Sequence, residues 1–204
     1  MGVIVEVGAN EGQDTIKFLD EGKEVYSFEP IPHHAKLLWD RFGTHPNFHL
    51  MCFAIDLENG YRKFNIEERA DWGCSSLHDV AEDNPNGINY TTHISNMMCI
   101  RLDTFMDIYG ITEVDYLHID TQGNDYRVLQ SLGDKIDCVK AGAAEAAQNA
   151  KYYAVDDNTV EVVKPWLESK GFEVSVVNDG VGKEHTGAAV TGNEANRFVN
   201  RKSE

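Results

Sequence analysis

The sequence predicts an α/β fold in which a mostly parallel, doubly wound sheet carries helices on both faces. Short apolar runs rich in β-branched residues alternate with amphipathic stretches, as is typical of strands and helices that alternate along a chain. Glycine turns and polar residues follow several apolar runs, as expected where strands end at the rim of such a sheet. With 204 residues, 42% of them hydrophobic, the chain can build one well-packed core. We therefore expect a single domain over residues 1–204.

In the first half of the chain, two strand and helix pairs are followed by two further strands. The Asn59-Gly60 turn separates these two strands, which we expect to pair as a hairpin. Pro32 suits the first turn of the second helix. The predicted elements are strand 3–7, helix 13–21, strand 24–28, helix 32–42 and strands 48–55 and 61–66.

The alternation is interrupted by residues 67–98, called the excursion below. This segment is rich in Asn, Asp, Gly, Ser and His and shows little periodicity. Long irregular segments inside compact domains are usually functional, so we expect the excursion to form a lid that covers a substrate. After it we predict helix 102–109, strand 114–119, helix 126–132, strand 138–145, helix 159–170, strand 172–177 and strand 196–200.

The turn after the first strand predicts one edge of a nucleotide-cofactor site. Gly8 and Gly12 allow the backbone to approach a ligand closely. Glu29 ends the next strand, where a carboxylate can accept hydrogen bonds from both hydroxyls of a ribose. The ligand is therefore expected to carry an adenosine.

The composition of this turn indicates which adenosine cofactor is bound. The dinucleotide pattern G-x-G-x-x-G lacks its middle glycine, since residues 8–12 read GANEG. Glu6 and Glu11 flank the turn, and negative side chains favour the cationic sulfonium of S-adenosylmethionine over a pyrophosphate. An oxidoreductase that uses NAD is the less favoured alternative.

A second set of polar residues follows the strand at 114–119. Asp120 can remove a proton from a substrate hydroxyl, or can hold a divalent cation together with Gln122 or Asn124. The sequence does not otherwise indicate a metal. His118 lies two residues before Asp120 on the same strand face, where it can serve either in catalysis or as a packed histidine. Asp125 can cap the next helix.

Charge and cysteine usage exclude several classes of function. The 18 Lys and Arg are outnumbered by 34 Asp and Glu, and the formal charge of −16 repels nucleic acids and anionic membrane surfaces. The four cysteines show no C-x-x-C pairing, which speaks against a zinc site or a disulfide framework. No apolar run has the length of a membrane span or of a signal-peptide core. We therefore expect a cytoplasmic protein with a small-molecule substrate.

Five segments of the chain follow, in order, the pattern of FkbM-type methyltransferases, a family that the sequence resembles from Val3 to about Arg201. These segments are 5–12 (VEVGANEG), 28–32 (FEPIP), 75–77 (SSL), 101–105 (RLDTF) and 119–125 (IDTQGND). The resemblance implies a Rossmann-like class I methyltransferase fold. It also implies transfer of a methyl group from S-adenosylmethionine, usually to oxygen, on a small molecule or sugar.

The resemblance also assigns roles to individual residues. For the cofactor it implies a wall for the methionine part, formed by Glu6, Gly8, Ala9, Asn10 and Gly12. It also implies that Glu29 holds the ribose, that Ala54 and Ile55 border the adenine, and that Asp120 lies near the methyl group. Asp120 and His118 are the candidate catalytic residues. On the acceptor side we place Ser75, Ser76, Trp72 and Glu145. The two serines can equally cap a local turn, and Trp72 can equally anchor the excursion to the domain.

The chain departs from the family pattern in two places. Glu6 stands where many relatives have Asp, which lengthens the side chain but keeps its charge. Gln122 stands where many relatives have Glu, and a neutral amide cannot act as a base and is a weaker metal ligand. The chain begins directly at its first strand, without the N-terminal substrate-covering helix of longer relatives, so we expect the excursion to act as the lid. These features support a second hypothesis, in which the protein is a scaffold that binds S-adenosylmethionine without turning it over.

Overall fold

The computed structural model describes residues 1–67, 73–82, 84, 87–90, 92–147, 152–178 and 194–200. The strands are β1 (Val3–Val7), β2 (Glu24–Phe28), β3 (Phe48–Met51), β4 (Ala54–Ile55), β5 (Gly60–Ile66), β6 (Thr92–Ile100), β7 (Tyr116–Ile119), β8 (Ala141–Ala146), β9 (Phe172–Asn178) and β10 (Glu194–Asn200). The α-helices are α1 (Thr15–Asp20), α2 (Pro32–Phe42), α3 (Leu102–Tyr109), α4 (Asp125–Gln130) and α5 (Val160–Ser169), and a 3-10 helix covers Gly133–Cys138.

Seven strands form one sheet in the order β3-β2-β1-β7-β8-β10-β9. The first five strands in this order run parallel, whereas β10 is antiparallel to both β8 and β9. The order of the strands reverses between β1 and β7, and ligands of open α/β sheets bind at such a switch point, beyond the carboxyl ends of the strands. The structure thus confirms the predicted α/β class.

Two apolar layers cover the faces of this sheet. Successive residues of a strand point to opposite faces, so Ile4 packs with Leu38 of α2, whereas Val5 belongs to a separate cluster. This second cluster includes Phe105 of α3 and Leu129 of α4. Because both faces are covered, β1 is apolar at almost every position, as is typical of a central parallel strand.

Strands β4, β6 and β5 form a second, smaller sheet, which corrects two predictions. Residues 92–98, predicted as the end of the excursion, belong to β6, which lies between β4 and β5. The predicted hairpin partner of β5 was also wrong, since β5 pairs with β6 and the predicted strand 48–55 divides into β3 and β4. Only Met97 and Cys99 of β6 are buried, so its sequence shows no clear alternation of apolar residues.

The other elements lie within a few residues of their predicted positions. Helix α3 occupies the predicted residues and ends at Gly110, whose φ of +67° gives the left-handed cap that favours glycine. Pro32 occupies the first turn of α2, as predicted. None of the helices in the described part of the chain has the length and apolarity that crossing a bilayer requires.

Candidate active site

A cleft of about 610 Å³, open to solvent, lies at the switch point between β1 and β7. The ends of β1, β2, β4 and β7 and part of the excursion form its walls. The structure therefore brings together several residues that were predicted separately from sequence. The predicted residues that line the cleft are Gly8, Asn10, Glu29, Ala54, Ile55, Ser75, Asp120, Gln122 and Asn124.

Gly8 forms the floor of the cleft where β1 meets β7. A Cβ atom at this position would lie 1.9 Å from the backbone oxygen of Asp120, and the φ of +91° also favours glycine. The backbone N–H groups of Gly8 and Ala9 both donate to the carbonyl oxygen of Phe28 at 3.0 Å. The turn after β1 is thus fixed to the ends of both neighbouring strands.

Gly12 and Ala9 serve the packing behind this turn and are not in the cleft wall. A Cβ atom on Gly12 would lie 2.6 Å from the ring of Phe42 and 2.7 Å from Leu38, so the glycine lets α2 approach closely. Ala9 is buried in the same apolar cluster as Leu38. Both residues hold the shape of the turn from its rear side.

Glu29 lies at the end of β2 and is only 3% exposed. Its Oε2 accepts a hydrogen bond from the backbone N–H of Asn10, and its Oε1 accepts one from that of Ile31, both at 2.8 Å. Burial raises the pKa of Glu29 to about 7, although the two backbone donors act in the opposite direction. A carboxylate offers about four acceptor sites, so each oxygen retains capacity for one ribose hydroxyl.

Asn10 supplies a second observation that fits an adenosine cofactor. The residue has a φ of +49°, which is uncommon outside glycine, and it lines the cleft. Its side-chain Oδ1 is buried, and no donor from the described residues reaches it. A buried acceptor without a partner is costly, so this atom is suited to a polar group of a bound ligand.

Glu6 lies beneath the turn and outside the wall of the cleft. Its Oε2 accepts hydrogen bonds from the hydroxyls of Thr15 and Ser27, both at 2.6 Å, and burial raises its pKa. These bonds connect α1 to β1 and β2. His118 faces the same helix, with its Nε2 3.5 Å from the carboxylate of Asp14 and its ring against Phe18. It is not part of the cleft wall either.

Asp120 leaves the end of β7 and enters the cleft wall. Its Oδ1 accepts a hydrogen bond of 2.5 Å from the side-chain amide of Gln122. Gln122 has a φ of +55° and Gly123 one of +97°, which turns the chain sharply out of the strand. The left-handed conformation is strained for a side chain such as that of Gln122 and requires support from its surroundings.

Asp125 lies behind Asp120 at the start of α4 and is fully buried. Its carboxylate accepts hydrogen bonds from the hydroxyl of Thr121 at 2.9 Å and from the backbone N–H of Glu145 at 3.0 Å. Burial, reinforced by the negative charge of Asp120, raises the pKa of Asp125 to about 7. Asp125 therefore binds a proton more readily than an ordinary aspartate and connects α4 to β8.

Asn124 connects the cleft wall to the excursion. Its amide nitrogen donates to the carbonyl oxygen of Ile55 at 3.0 Å, and its Oδ1 lies 2.9 Å from Nε2 of His78. Burial lowers the pKa of His78, which favours a neutral ring that can donate to this oxygen. Within the described ranges, no group of three or more His, Cys, Asp or Glu side chains is arranged to hold a metal ion.

The predicted acceptor-side residues lie at different depths. Ser75 lines the cleft, and its hydroxyl oxygen accepts the backbone N–H of Glu67 at 3.0 Å. Ser76 is fully buried and donates to the carbonyl oxygen of Gln122 at 2.7 Å. Glu145 stands near the end of β8, outside the cleft wall. Trp72 lies outside the described residues.

Several cleft residues were not predicted from the sequence. Phe53, Phe64 and Leu77 form an apolar wall that suits the flat face of an adenine. His34 and Thr121 add two polar positions. Burial lowers the pKa of His34. His34 lies in the first turn of α2, five residues after Glu29, and this short distance in the sequence could have indicated its position. No comparable signal marks Phe64, because it reaches the cleft from the second sheet.

The strand order and the cleft together define a class I methyltransferase fold. The methyltransferase FkbM domain profile matches residues 6–175. The chain therefore belongs to the FkbM methyltransferase family, whose members use S-adenosylmethionine. No curated protein matches this chain significantly in sequence.

Solved structures share the fold at low sequence identity. A Streptococcus mutans protein with a provisional methyltransferase assignment, crystallised with S-adenosylhomocysteine, gives a TM-score of 0.52 at 9% identity and covers 98% of this chain and 88% of its own. An rRNA methylase from Streptococcus thermophilus gives 0.51 at 11% identity, covering 98% and 86%. TrmK from M. capricolum, also with S-adenosylhomocysteine, gives 0.50 at 10% identity, covering 98% and 62%. At such identities the likeness shows the fold alone.

Proposed function

We propose that this protein is a cytoplasmic enzyme that methylates a hydroxyl group of a small molecule or a sugar. The observation that supports this most directly is the position of Asp120, a carboxylate in the cleft wall beside the Gly8 turn. An acceptor hydroxyl is a poor nucleophile until its proton is removed, and a carboxylate in reach of that hydroxyl assists the removal. Asp120 is the group that we assign to this role.

Other residues of the cleft would hold the cofactor. When bound, S-adenosylmethionine supplies an activated methyl group on a cationic sulfur. Glu29 would accept the ribose hydroxyls, and the orphaned Oδ1 of Asn10 would accept a donor from the methionine part. Ala54 and Ile55, at the apolar end of the cleft, would border the adenine. The chain thus aligns donor and acceptor, which is the larger part of the catalysis of such a displacement.

The electrostatics of the site support an acceptor without phosphate groups. Three carboxyl groups, those of Glu29, Asp120 and Asp125, lie in or directly behind the cleft. The whole chain carries a formal charge of −16. A polyanion such as RNA would be repelled both at long range and at the site, whereas a neutral or cationic hydroxyl compound would not.

Transfer of a labelled methyl group tests this proposal directly. The protein and labelled S-adenosylmethionine would be incubated with a panel of sugars, phenols and hydroxylated lipids and peptides, and with total RNA in a parallel reaction. We expect label in at least one hydroxyl compound, and a loss of about 100-fold or more in Asp120→Asn with unchanged binding of S-adenosylhomocysteine. Label in RNA alone, or binding without transfer to any acceptor, would overturn the proposal, and the latter result would favour a non-catalytic binding protein instead.

A further inference from the structure

Tyr153 belongs to the segment 152–154, which pairs with residues 79–81 of the excursion. The backbone N–H of Ala81 donates to the carbonyl oxygen of Tyr152 at 3.0 Å, and that of Ala154 donates to the carbonyl oxygen of Asp79 at 2.7 Å. Val80 and Tyr153 pair between these two bonds as an antiparallel bridge. The ring of Tyr153 is 6% exposed and packs in a small apolar cluster with Ile88 and Tyr152, separate from the two main cores.

A chain of two short hydrogen bonds leads from Tyr153 to Asp120. The phenolic hydroxyl of Tyr153 donates to Oε1 of Gln122 at 2.6 Å, and Nε2 of Gln122 donates to Oδ1 of Asp120 at 2.5 Å. An ionised carboxylate only accepts hydrogen bonds, so the amide nitrogen must face Asp120. The amide oxygen then faces the phenol, which must donate. Asp120 and Tyr153 thus favour the same orientation of the amide, and the hydroxyl of Tyr153 holds the amide in it.

Two further contacts hold the backbone of this chain of bonds in place. The carbonyl oxygen of Gln122 accepts the hydroxyl of Ser76, which comes from the excursion. A Cβ atom on Gly123 would lie 2.7 Å from the ring of Tyr153, so the ring packs directly on the backbone of the turn. Gln122 keeps its strained left-handed conformation under these constraints. Burial also raises the pKa of Tyr153 well above its ordinary value, which keeps the hydroxyl protonated.

We propose that Tyr153 is a positioning residue, which acts through Gln122 to fix the direction of the Asp120 carboxylate and to stabilise its ionised form. Since Tyr153 is fastened to Val80, the carboxylate is aligned only while the excursion is paired with the 152–154 segment. This inference rests on the proposed function, and it adds that Asp120, which the family resemblance places near the methyl group, faces the sulfur of the cofactor. Gln122 cannot act as a base, but as a neutral amide it can connect Tyr153 to Asp120.

The test compares affinities for S-adenosylmethionine and S-adenosylhomocysteine by calorimetry, because the two differ in charge at the sulfur. In the wild type, an aligned and ionised Asp120 favours the cationic ligand. Tyr153→Phe removes a single hydroxyl. We expect this variant to bind S-adenosylhomocysteine with unchanged affinity but to lose about tenfold of its preference for S-adenosylmethionine. Gln122→Leu, which changes the cleft wall itself, should lose the same preference whatever its affinity for S-adenosylhomocysteine. Tyr152→Phe, from the same apolar cluster, should keep the wild-type preference.

A spectroscopic measurement gives an independent readout of the same chain of bonds. The protein has four glutamines, so selective labelling with ¹⁵N-glutamine gives few side-chain amide signals. We expect the Gln122 amide pair to be shifted by its bond to Asp120, and this shift to be lost in Tyr153→Phe. If Tyr153 is only structural, Tyr153→Phe will lower the unfolding free energy and weaken both ligands equally without changing their ratio, and the inference is then wrong.

Asp120→Asn separates failure of this inference from failure of the proposed function. If Asp120→Asn leaves the ratio of the two affinities unchanged but slows methyl transfer, Asp120 does not face the sulfur, and the inference fails while the proposed function stands. If Asp120→Asn changes neither the ratio nor the transfer, both fail. If Asp120→Asn changes the ratio but Tyr153→Phe does not, only the positioning role is overturned.

Discussion

Glu29 is buried yet bonded to two backbone donors, and this combination places its pKa at about 7. Two ribose hydroxyls that donate to the carboxylate would favour its ionised form, so binding would release a proton where Glu29 is still protonated. We therefore expect the affinity for S-adenosylhomocysteine to rise about tenfold from pH 6 to pH 8 and then to level off. Isothermal titration calorimetry in buffers of different ionisation enthalpy would measure both the affinity and the released proton.

Glu29→Gln is the matched control for this prediction, because it keeps the shape of the side chain and removes its titration. We expect this variant to bind weakly and to show little dependence on pH between 6 and 8. Equal pH dependence in the wild type and in Glu29→Gln would assign the titration to another group. A wild-type affinity that stays constant over this range would show that the ribose does not bind to this carboxylate.

Gly8 makes a second prediction at the scale of a single residue. A methyl group at this position would meet the backbone oxygen of Asp120, which follows β7 directly and cannot move alone, because its N–H donates to the carbonyl oxygen of Val7. We expect Gly8→Ala to lower the unfolding free energy by about 3 kcal/mol or more and to abolish binding of S-adenosylhomocysteine. Urea unfolding followed by circular dichroism measures the first effect, and calorimetry measures the second.

Gly22→Ala separates the two components of this effect. Gly22 also has a left-handed φ of +73°, but no atom lies within 4 Å of the position of its Cβ. This variant should lose only about 1 kcal/mol, the ordinary cost of a left-handed side chain, and should bind the ligand normally. Equal losses in both variants would refute the argument that close approach of β1 and β7 requires Gly8.

Part of the cleft could be predicted residue by residue, because parallel strands bring their carboxyl ends to one rim. Gly8, Glu29 and Asp120 each follow a strand directly, and the structure places all three in the cleft wall. Glu6 and His118 each lie one position before the last residue of their strand. Glu6 bonds to Thr15 of α1 as well as to Ser27, and His118 faces Asp14, which precedes α1. The sequence of a strand does not show which helix covers it. No sequence pattern indicated Tyr153, since its role depends on a contact with Gln122, which is 31 residues away in the chain.

At the scale of elements, Arg101 connects three parts of the chain before α3 begins. Its guanidinium donates to the carbonyl oxygens of Leu57 at 2.7 Å and Ser131 at 3.0 Å, and it forms an ion pair with Asp103. A lysine at this position cannot make these bonds together. We expect Arg101→Lys to lower the unfolding free energy by about 1–3 kcal/mol, measured by urea unfolding.

Arg41→Lys is the control, because Arg41 is exposed, donates to the carbonyl oxygen of Glu11 and lies over the ring of its neighbour Phe42. This change should cost less than about 0.5 kcal/mol. If the two variants lose the same stability, the connection through Arg101 does not stabilise the packing of α3 against the sheets.

The elements were predicted best where burial is strongest. Strands β1 and β2 are buried on both faces, so their sequences are apolar runs that end in clear turns. Strand β6 is half exposed, and its pairing with β4 and β5 depends on residues about 26 to 45 positions away. A local pattern cannot report such a pairing, which is why the sequence indicated a hairpin between neighbours in the chain. The lid function of the excursion stays a prediction.

At the scale of the whole molecule, several buried carboxyl groups make stability depend on pH. The ordinary pKa of an aspartate is 3.8, whereas Asp125 in the folded protein has a pKa of about 7, and burial raises the pKa values of Glu29 and Glu6 as well. Between these limits the folded protein retains a proton that the unfolded chain has released. The stability that this proton provides is therefore full below about pH 4 and is lost as the pH rises to 7.

Other titratable groups change the folding stability in the opposite direction or in another pH range. The contribution of Asp125 is therefore best measured as a difference in stability between a variant and the wild type. The lowered pKa values of His34 and His78 reduce stability as the pH falls below about 6.5, because only the unfolded chain then gains their protons. The lowered pKa values of Asp103 and Asp115 act below about pH 4. Neither set changes when Asp125 alone is replaced.

Asp125→Asn removes the titration and keeps the contacts, since its amide can accept the N–H of Glu145 and donate to the hydroxyl of Thr121. Relative to the wild type without cofactor, we expect the variant to gain up to about 1.4 kcal/mol of unfolding free energy per pH unit between pH 5 and 7, and nothing further above pH 7. Asp115→Asn, whose carboxyl titrates below this range, should show a constant difference. A constant difference for Asp125→Asn as well would mean that Asp125 is already ionised in the folded protein, held so by contacts that outweigh its burial.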